Sequence, residues 1–206
     1  GPRQIGKTSL LHSVMQRLRN VRAPDLEQGV RCAVLDLLTL ETSAGSSERF
    51  FFELVRELFR GLGLPGLPTD YWTDRLGQQV PQPAARFARL LAELPSILDN
   101  LQPVVVFIDH LEALDRLPAL REGFLAAVSD AMNSSEGRLR PQSGRRDERG
   151  RAESLKVRYC LLGSVLPGDL MLDGKKSALE QSREVSLACF GETEARGLLP
   201  GLHTFG

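Results

Sequence analysis

Gly1-Pro2-Arg3-Gln4-Ile5-Gly6-Lys7-Thr8-Ser9 fits the pattern G-x-x-x-x-G-K-[ST] at every required position. Residue types at this spacing suit the binding of a polyphosphate. Phosphate oxygens need backbone N–H groups aimed at them from a tight concave loop, and Gly1 and Gly6 permit the φ angles and close approach that a Cβ would block. Lys7 brings a compact positive charge to the β and γ phosphates, and the Thr8 hydroxyl is a natural ligand for Mg²⁺. The expected cradle is therefore Gly1, Pro2, Arg3, Gln4, Ile5, Gly6, Lys7, Thr8 and Ser9, with ATP and Mg²⁺ as its ligands. A chance glycine loop before an ordinary helix is the plain alternative, and a match at all positions followed by a helix weighs against it.

A second set of residues completes such a site. Val104-Val105-Val106-Phe107-Ile108 is a continuous apolar run ending in Asp109. It has the form of a strand covered on both faces, whose carboxylate emerges at the end where α/β sheets bind ligands. There Asp109 would hold Mg²⁺, through water, opposite Thr8, so Thr8 and Asp109 are the expected metal ligands. Ser164 follows the next strand, Val157 to Leu162, and is placed either to face the γ-phosphate or simply to turn the chain. His110 directly follows Asp109 and is the candidate catalytic base, since an imidazole with an ordinary pKa near ~6.5 accepts a proton when neutral. Glu112 lies beyond the strand end, where the sheet does not fix its direction, and is left out of the site.

Several elements must position these groups. Leu10, Leu11, Val14, Met15 and Leu18 share one helical face directly behind the glycine loop, and the positive end of that helix faces the phosphates. Val30 to Leu38 reads as a strand containing Asp36, whose carboxylate suits capping or an approach to the site. Ser47 to Arg60 reads as a helix capped by Ser47 and stopped by Gly61, with an aromatic and aliphatic stripe for the core. Gly61 to Pro83 reads as a loop anchored by Tyr71 and Trp72. Helices follow from Pro83, with a bend at Pro95, and from Pro118. Glu184 to Ala188 is a short strand candidate, and Gly191 opens a closing helix. Strands alternating with helices predict a parallel sheet in an α/β sandwich.

Composition narrows the classes. The 206 residues suit one α/β domain, taken as 1–206, and Lys+Arg and Asp+Glu balance at 26 each. A neutral total lends no support to a nucleic-acid binder. No apolar run approaches the ~20 residues of a membrane helix. Cys32, Cys160 and Cys189 lie far apart in apolar segments with no metal spacing, which suits buried reduced thiols in a cytoplasmic protein. Asn133 to Lys156 is rich in Ser, Gly, Arg and Glu with almost no apolar residues, so a disordered insertion at 133–156 is expected. A basic arm for nucleic acid is the sharper alternative there.

Three stretches, G-P-R-Q-I-G-K-T-S-L-L, V-V-V-F-I-D-H-L-E-A-L and V-R-Y-C-L-L-G-S-V-L-P-G-D-L, together resemble the AAA-like domain of bacterial STAND-type P-loop ATPases. The order of segments is similar over most of the chain, including Tyr71-Trp72 and Phe190-x-x-x-Glu194-Ala195. The resemblance implies a three-layer P-loop NTPase sandwich with a mainly parallel sheet in the order 5-1-4-3-2, and ATP with Mg²⁺ as ligands. It implies fusion to repeat or effector modules as partners, no membrane association, and a polar group at Ser164 sensing the γ-phosphate.

The chain departs from that pattern in three places. The first strand is absent, so the chain reads as a fragment truncated at the Walker A loop. The 133–156 segment is expanded, and His110 stands where the family has Glu. A water-activating carboxylate stays ionised at neutral pH and only accepts hydrogen bonds; an imidazole differs in reach, so weak hydrolysis is expected. The reading is an ATP-dependent conformational switch within a larger bacterial regulatory protein. Two rivals stand beside it: a DNA-associated AAA+ ATPase of the origin-recognition or archaeal type, and a scaffold pseudo-ATPase that hydrolyses nothing.

Overall fold

The computed structural model describes residues 6–20, 29–41, 45–73, 82–98, 103–137, 157–165, 183 and 185. Three strands, β1 (Arg31–Asp36), β2 (Val104–Asp109) and β3 (Val157–Leu161), form a parallel sheet in the order β1-β2-β3. The register runs from Arg31↔Val104 to Asp36↔Asp109 and from Val104↔Val157 to Ile108↔Leu161. Mixed helix and strand with parallel pairing agrees with the α/β class. β2 lies between β1 and β3. β3 has a strand neighbour on one side only, among the described residues.

Alternation along β2 sorts its side chains onto two faces. Val104, Val106 and Ile108 join the large core, with Ala33 and Leu35 of β1. That core is covered by α3 (Ser47–Leu62), α5 (Pro83–Ile97) and α6 (Pro118–Gly137). Phe50, Phe51, Phe87 and Phe124 meet there edge-on, tilted or stacked, with ring centroids 5.3 to 6.3 Å apart. Val105 and Phe107 point the other way, where Cys32, Val34 and Leu162 join Leu11, Val14, Met15 and Leu18 of α1 (Lys7–Asn20). The face read from the sequence is the one that packs, except Leu10, which is 45% exposed.

Element ends differ from expectation where capping chemistry takes over. The strand expected to reach Leu38 stops at Asp36, whose carboxylate accepts from Leu38 N and Thr39 Oγ1, both at 3.0 Å. These bonds turn the chain into the short helix α2 (Leu37–Glu41). Ser46, not Ser47, caps α3, its hydroxyl accepting from Arg49 N at 3.2 Å. Gly63, at φ 61°, ends that helix two residues beyond the expected stop. Gly61 is inside α3 for another reason: a Cβ there would lie 2.8 Å from Ala33 Cβ, so the glycine lets α3 lie against β1.

The expected loop after α3 contains the short helix α4 (Pro68–Asp70), and its aromatic anchor is as predicted. Trp72 is 2% exposed, packs near Phe52, and donates from Nε1 to Glu48 at 2.5 Å; Tyr71 donates to Glu93 at 2.6 Å. α6 continues to Gly137, so the boundary expected at Asn133 moves, and 138–156 lies outside the described residues. The strand at 184–188, apart from Val185, the closing helix and Cys189 also lie outside them. Cys32 is buried as expected, whereas Cys160 is exposed. Burial pushes the Cys32 thiol up, against the opposing charge of Arg19.

The α3–β1 contact gives a test with opposed signs. In a helix, Gly→Ala ordinarily stabilises by about 1 kcal/mol, while forcing a methyl into a filled contact costs about 1–3 kcal/mol. Gly61→Ala is expected to lower the thermal unfolding midpoint; a raised midpoint would show that α3 can move off Ala33 freely.

Candidate functional site

The C-terminal ends of β1, β2 and β3 and the start of α1 converge on one group of polar side chains. Gly6 has φ 80°, and its carbonyl accepts from Leu10 N at 2.8 Å, which begins the helix. Glycine adopts this left-handed backbone without the strain a Cβ would bring. Gly1, Pro2, Arg3, Gln4 and Ile5 lie outside the described residues. Thr8, in the first turn of α1, donates from Oγ1 to Asp109 Oδ2 at 2.9 Å. Two residues 101 apart in sequence, each singled out by its own motif, are thus in contact.

Asp109 is held from both sides. It belongs with Val105 and Phe107 on the face of β2 toward α1, and it is 2% exposed. Its second oxygen, Oδ1, accepts from His110 N at 2.9 Å. Buried carboxylates need such partners, because an unpaired charge away from water is costly.

His110 leaves the strand with φ 60° and ψ 49°, the one positive φ of a non-glycine residue among those described. That conformation costs a residue with a Cβ roughly 1–2 kcal/mol. Its ring repays the turn with contacts, Nδ1 lying 2.9 Å from Asp36 Oδ1 and 3.7 Å from Asp109 Oδ2. Asp36 and Asp109 are register partners in the parallel pair, so their carboxylates come off the sheet side by side, with the imidazole bridging them.

A 3₁₀ helix (Leu111–Arg116) follows, and it gives Glu112 the fixed direction that the strand end alone does not. Leu162 N donates to Ile108 O at 2.8 Å, and Leu111 N to Leu162 O at 3.1 Å, stapling this turn to the end of β3. Glu112 Oε2 then accepts from Ser164 N at 3.0 Å. A Cβ on Gly163 would lie 2.9 Å from Leu111 Cβ and 3.2 Å from that oxygen, so the glycine gives the carboxylate room. Burial favours the neutral acid, but the Glu112 and Ser164 N–H groups and the charges of Lys7 and His110 outweigh it. Glu112 is therefore held below the usual carboxylate range.

Of the residues expected from sequence, Thr8, Asp109 and His110 come together, while the Ser164 backbone N–H donates to Glu112. Lys7 acts on the group through its charge. Ser9 is exposed on α1. Asp36 takes the capping role expected of it at the start of α2, and it also meets the His110 ring. Glu112 was missed, and the signal that could have found it is the Gly163-Ser164 pair at the end of the neighbouring strand.

Thr8 and Asp109 present two oxygens within 2.9 Å of each other. Among the described residues, no group of three or more His, Cys, Asp or Glu side chains is arranged to hold a metal unaided. A hydroxyl and a carboxylate oxygen are hard donors of the kind Mg²⁺ takes alongside water and phosphate oxygen. No protein-family model matches the chain, and neither does any curated protein or solved structure.

The Glu112 carboxylate gives this end of the fold an acid-sensitive contact. Its folded pKa lies below the ordinary 4.5, so its contribution to stability is present above pH 4.5 and is lost as pH falls through the depressed value. Glu112→Gln is expected to show a shallower loss of stability between about pH 5 and pH 3 in urea titrations. Identical acid limbs for the two proteins would show that the carboxylate gains nothing from its surroundings.

Proposed function

We propose that the chain is an ATP-binding P-loop module that acts as a nucleotide-dependent conformational switch within a larger bacterial regulatory protein. The observation that carries this reading is the Thr8–Asp109 hydrogen bond. It joins the hydroxyl of the phosphate-loop motif to the carboxylate of the apolar-strand motif, the two groups that such a site needs on either side of a metal. In the full reading, Gly1 to Gly6 cradle the phosphates, Lys7 neutralises the β and γ groups, and Thr8 and Asp109 hold Mg²⁺. A bound Mg²⁺ would neutralise phosphate charge.

The sheet order supports the same reading. A P-loop sandwich of order 5-1-4-3-2 contains the run 4-3-2, and β3-β2-β1 has the parallel pairing of that run. The strand feeding the phosphate loop would then pair with β3. A switching role draws on the connections of Asp109. One bond leads to α1 through Thr8; another leads to His110, and through it to Asp36 and the start of α2. A ligand that changes the demands on Asp109 acts on both helices together. This reading places the protein in the cytoplasm.

Lys7→Ala is expected to weaken ATP binding by about 10–100-fold, the equivalent of ~1.5–3 kcal/mol for hydrogen bonds to a charged group. Calorimetry on the full chain with ATP and Mg²⁺ measures it. An unchanged dissociation constant would remove Lys7 from the phosphate site and the proposal with it.

A further inference from the structure

We infer that Glu112, held by the Ser164 N–H at the junction of β2 and β3, is the carboxylate that takes the proton from the attacking water when ATP is hydrolysed. The inference rests on the nucleotide site proposed above. It assigns the reaction to a residue outside the position that directly follows Asp109.

Elimination among the neighbouring groups favours it. Asp109 engages one oxygen with Thr8 and the other with His110 N. Asp36 engages Leu38 N, Thr39 and the His110 ring. His110 turns its Nδ1 toward Asp36, and its left-handed backbone fixes the direction in which the ring departs. Glu41 and Asp115 pair with Arg116 and Arg121, which leaves Glu112 as the carboxylate of these strand ends, among the described residues, that lies under the charge of Lys7, the group expected to face the β and γ phosphates. Its orientation is built in three ways: by the Ser164 N–H, by the space left at Gly163, and by the Leu111–Leu162 backbone bond. A general base needs this kind of fixed placement within reach of the water.

In the reaction, the water oxygen forms a bond to the γ-phosphorus as the bond from that phosphorus to the β–γ bridging oxygen breaks. ADP leaves with the electron pair of the broken bond, inorganic phosphate is formed, and the water's proton passes to the Glu112 carboxylate.

The test pairs turnover with binding and stability in the full chain. Glu112→Gln is the informative substitution, because its amide oxygen still accepts the Ser164 N–H while the proton acceptor is lost. Single-turnover assays with Mg²⁺-ATP are expected to show a fall of about 10²–10⁴-fold, the range of a positioned acid–base group. Calorimetry with a non-hydrolysable ATP analogue is expected to give the same affinity as wild type, with a modestly lowered but still cooperative unfolding transition near neutral pH, where the carboxylate's contribution to stability is lost. Glu112→Asp, which keeps the charge but withdraws it by one methylene, is expected to fall between. Equal turnover in wild type and Glu112→Gln would overturn the inference, as would a Glu112→Gln protein that loses analogue affinity. A wild-type protein that binds the analogue but never turns over ATP would also overturn it, while leaving the binding reading intact. Failure of the wild type to bind at all would overturn both.

Discussion

The contact between Thr8 and Asp109 is the constraint on which the rest of this arrangement depends. A helix start and a strand end, separated by 101 positions, meet at 2.9 Å only if α1 lies on the correct face of the sheet and β2 ends at the correct height. The first condition is met by Leu11 packing against Cys32 and Phe107. The second is met by the unbroken apolar run of β2, which carries Asp109 to the sheet's end while keeping it 2% exposed. Burying that carboxylate would be unfavourable without the Thr8 hydroxyl and the His110 N–H on its two oxygens. Packing therefore places the charge, and the charge in turn dictates which polar groups must surround it.

His110 shows how one unusual backbone conformation arranges several neighbours. A left-handed residue immediately after a strand reverses the chain at once, which brings Leu111 and Glu112 back toward the end of β3. The same turn points the imidazole at Asp36 on the opposite neighbour. The ends of all three strands are thus tied through residues 109–112, and α2 is joined by Arg116, which donates to Glu41 at 2.5 Å.

Much of this was legible in the sequence because it follows from period and composition. The helical stripe behind the glycine loop, the aromatic face of α3, the buried run of β2 and the anchoring role of Trp72 all arise from apolar side chains seeking cover. What was misread depended on short polar contacts or on distant neighbours. Asp36 ended its strand by capping, although Leu37 and Leu38 continue the apolar pattern. Gly61 looked like a stop signal, but it is small because Ala33 is behind it. Glu112 was set aside because its direction is decided by a backbone N–H some fifty positions away, Ser164 at a separation of 52. The trace of that partner in the sequence is the Gly163-Ser164 pair after the next strand, which has meaning only once the two strands are known to be neighbours.

The two ends of α1 are held by different means. At its C-terminal end, the Leu18 carbonyl accepts from Val30 N at 3.2 Å, and Arg19 donates to the Cys32 carbonyl at 3.3 Å. Gly29 passes so close there that a Cβ would lie 2.2 Å from the Arg19 carbonyl oxygen. Near its other end the helix meets the sheet through Leu11, buried against Cys32 and Phe107, and through the hydrogen bond from the Thr8 hydroxyl to Asp109. A helix of 14 residues is about 21 Å long. Leu11, Val14, Met15 and Leu18 seat the rod on the sheet between those two ends, so α1 acts as a strut: the height at which Thr8 meets Asp109 is set by the whole helix rather than by its first turn.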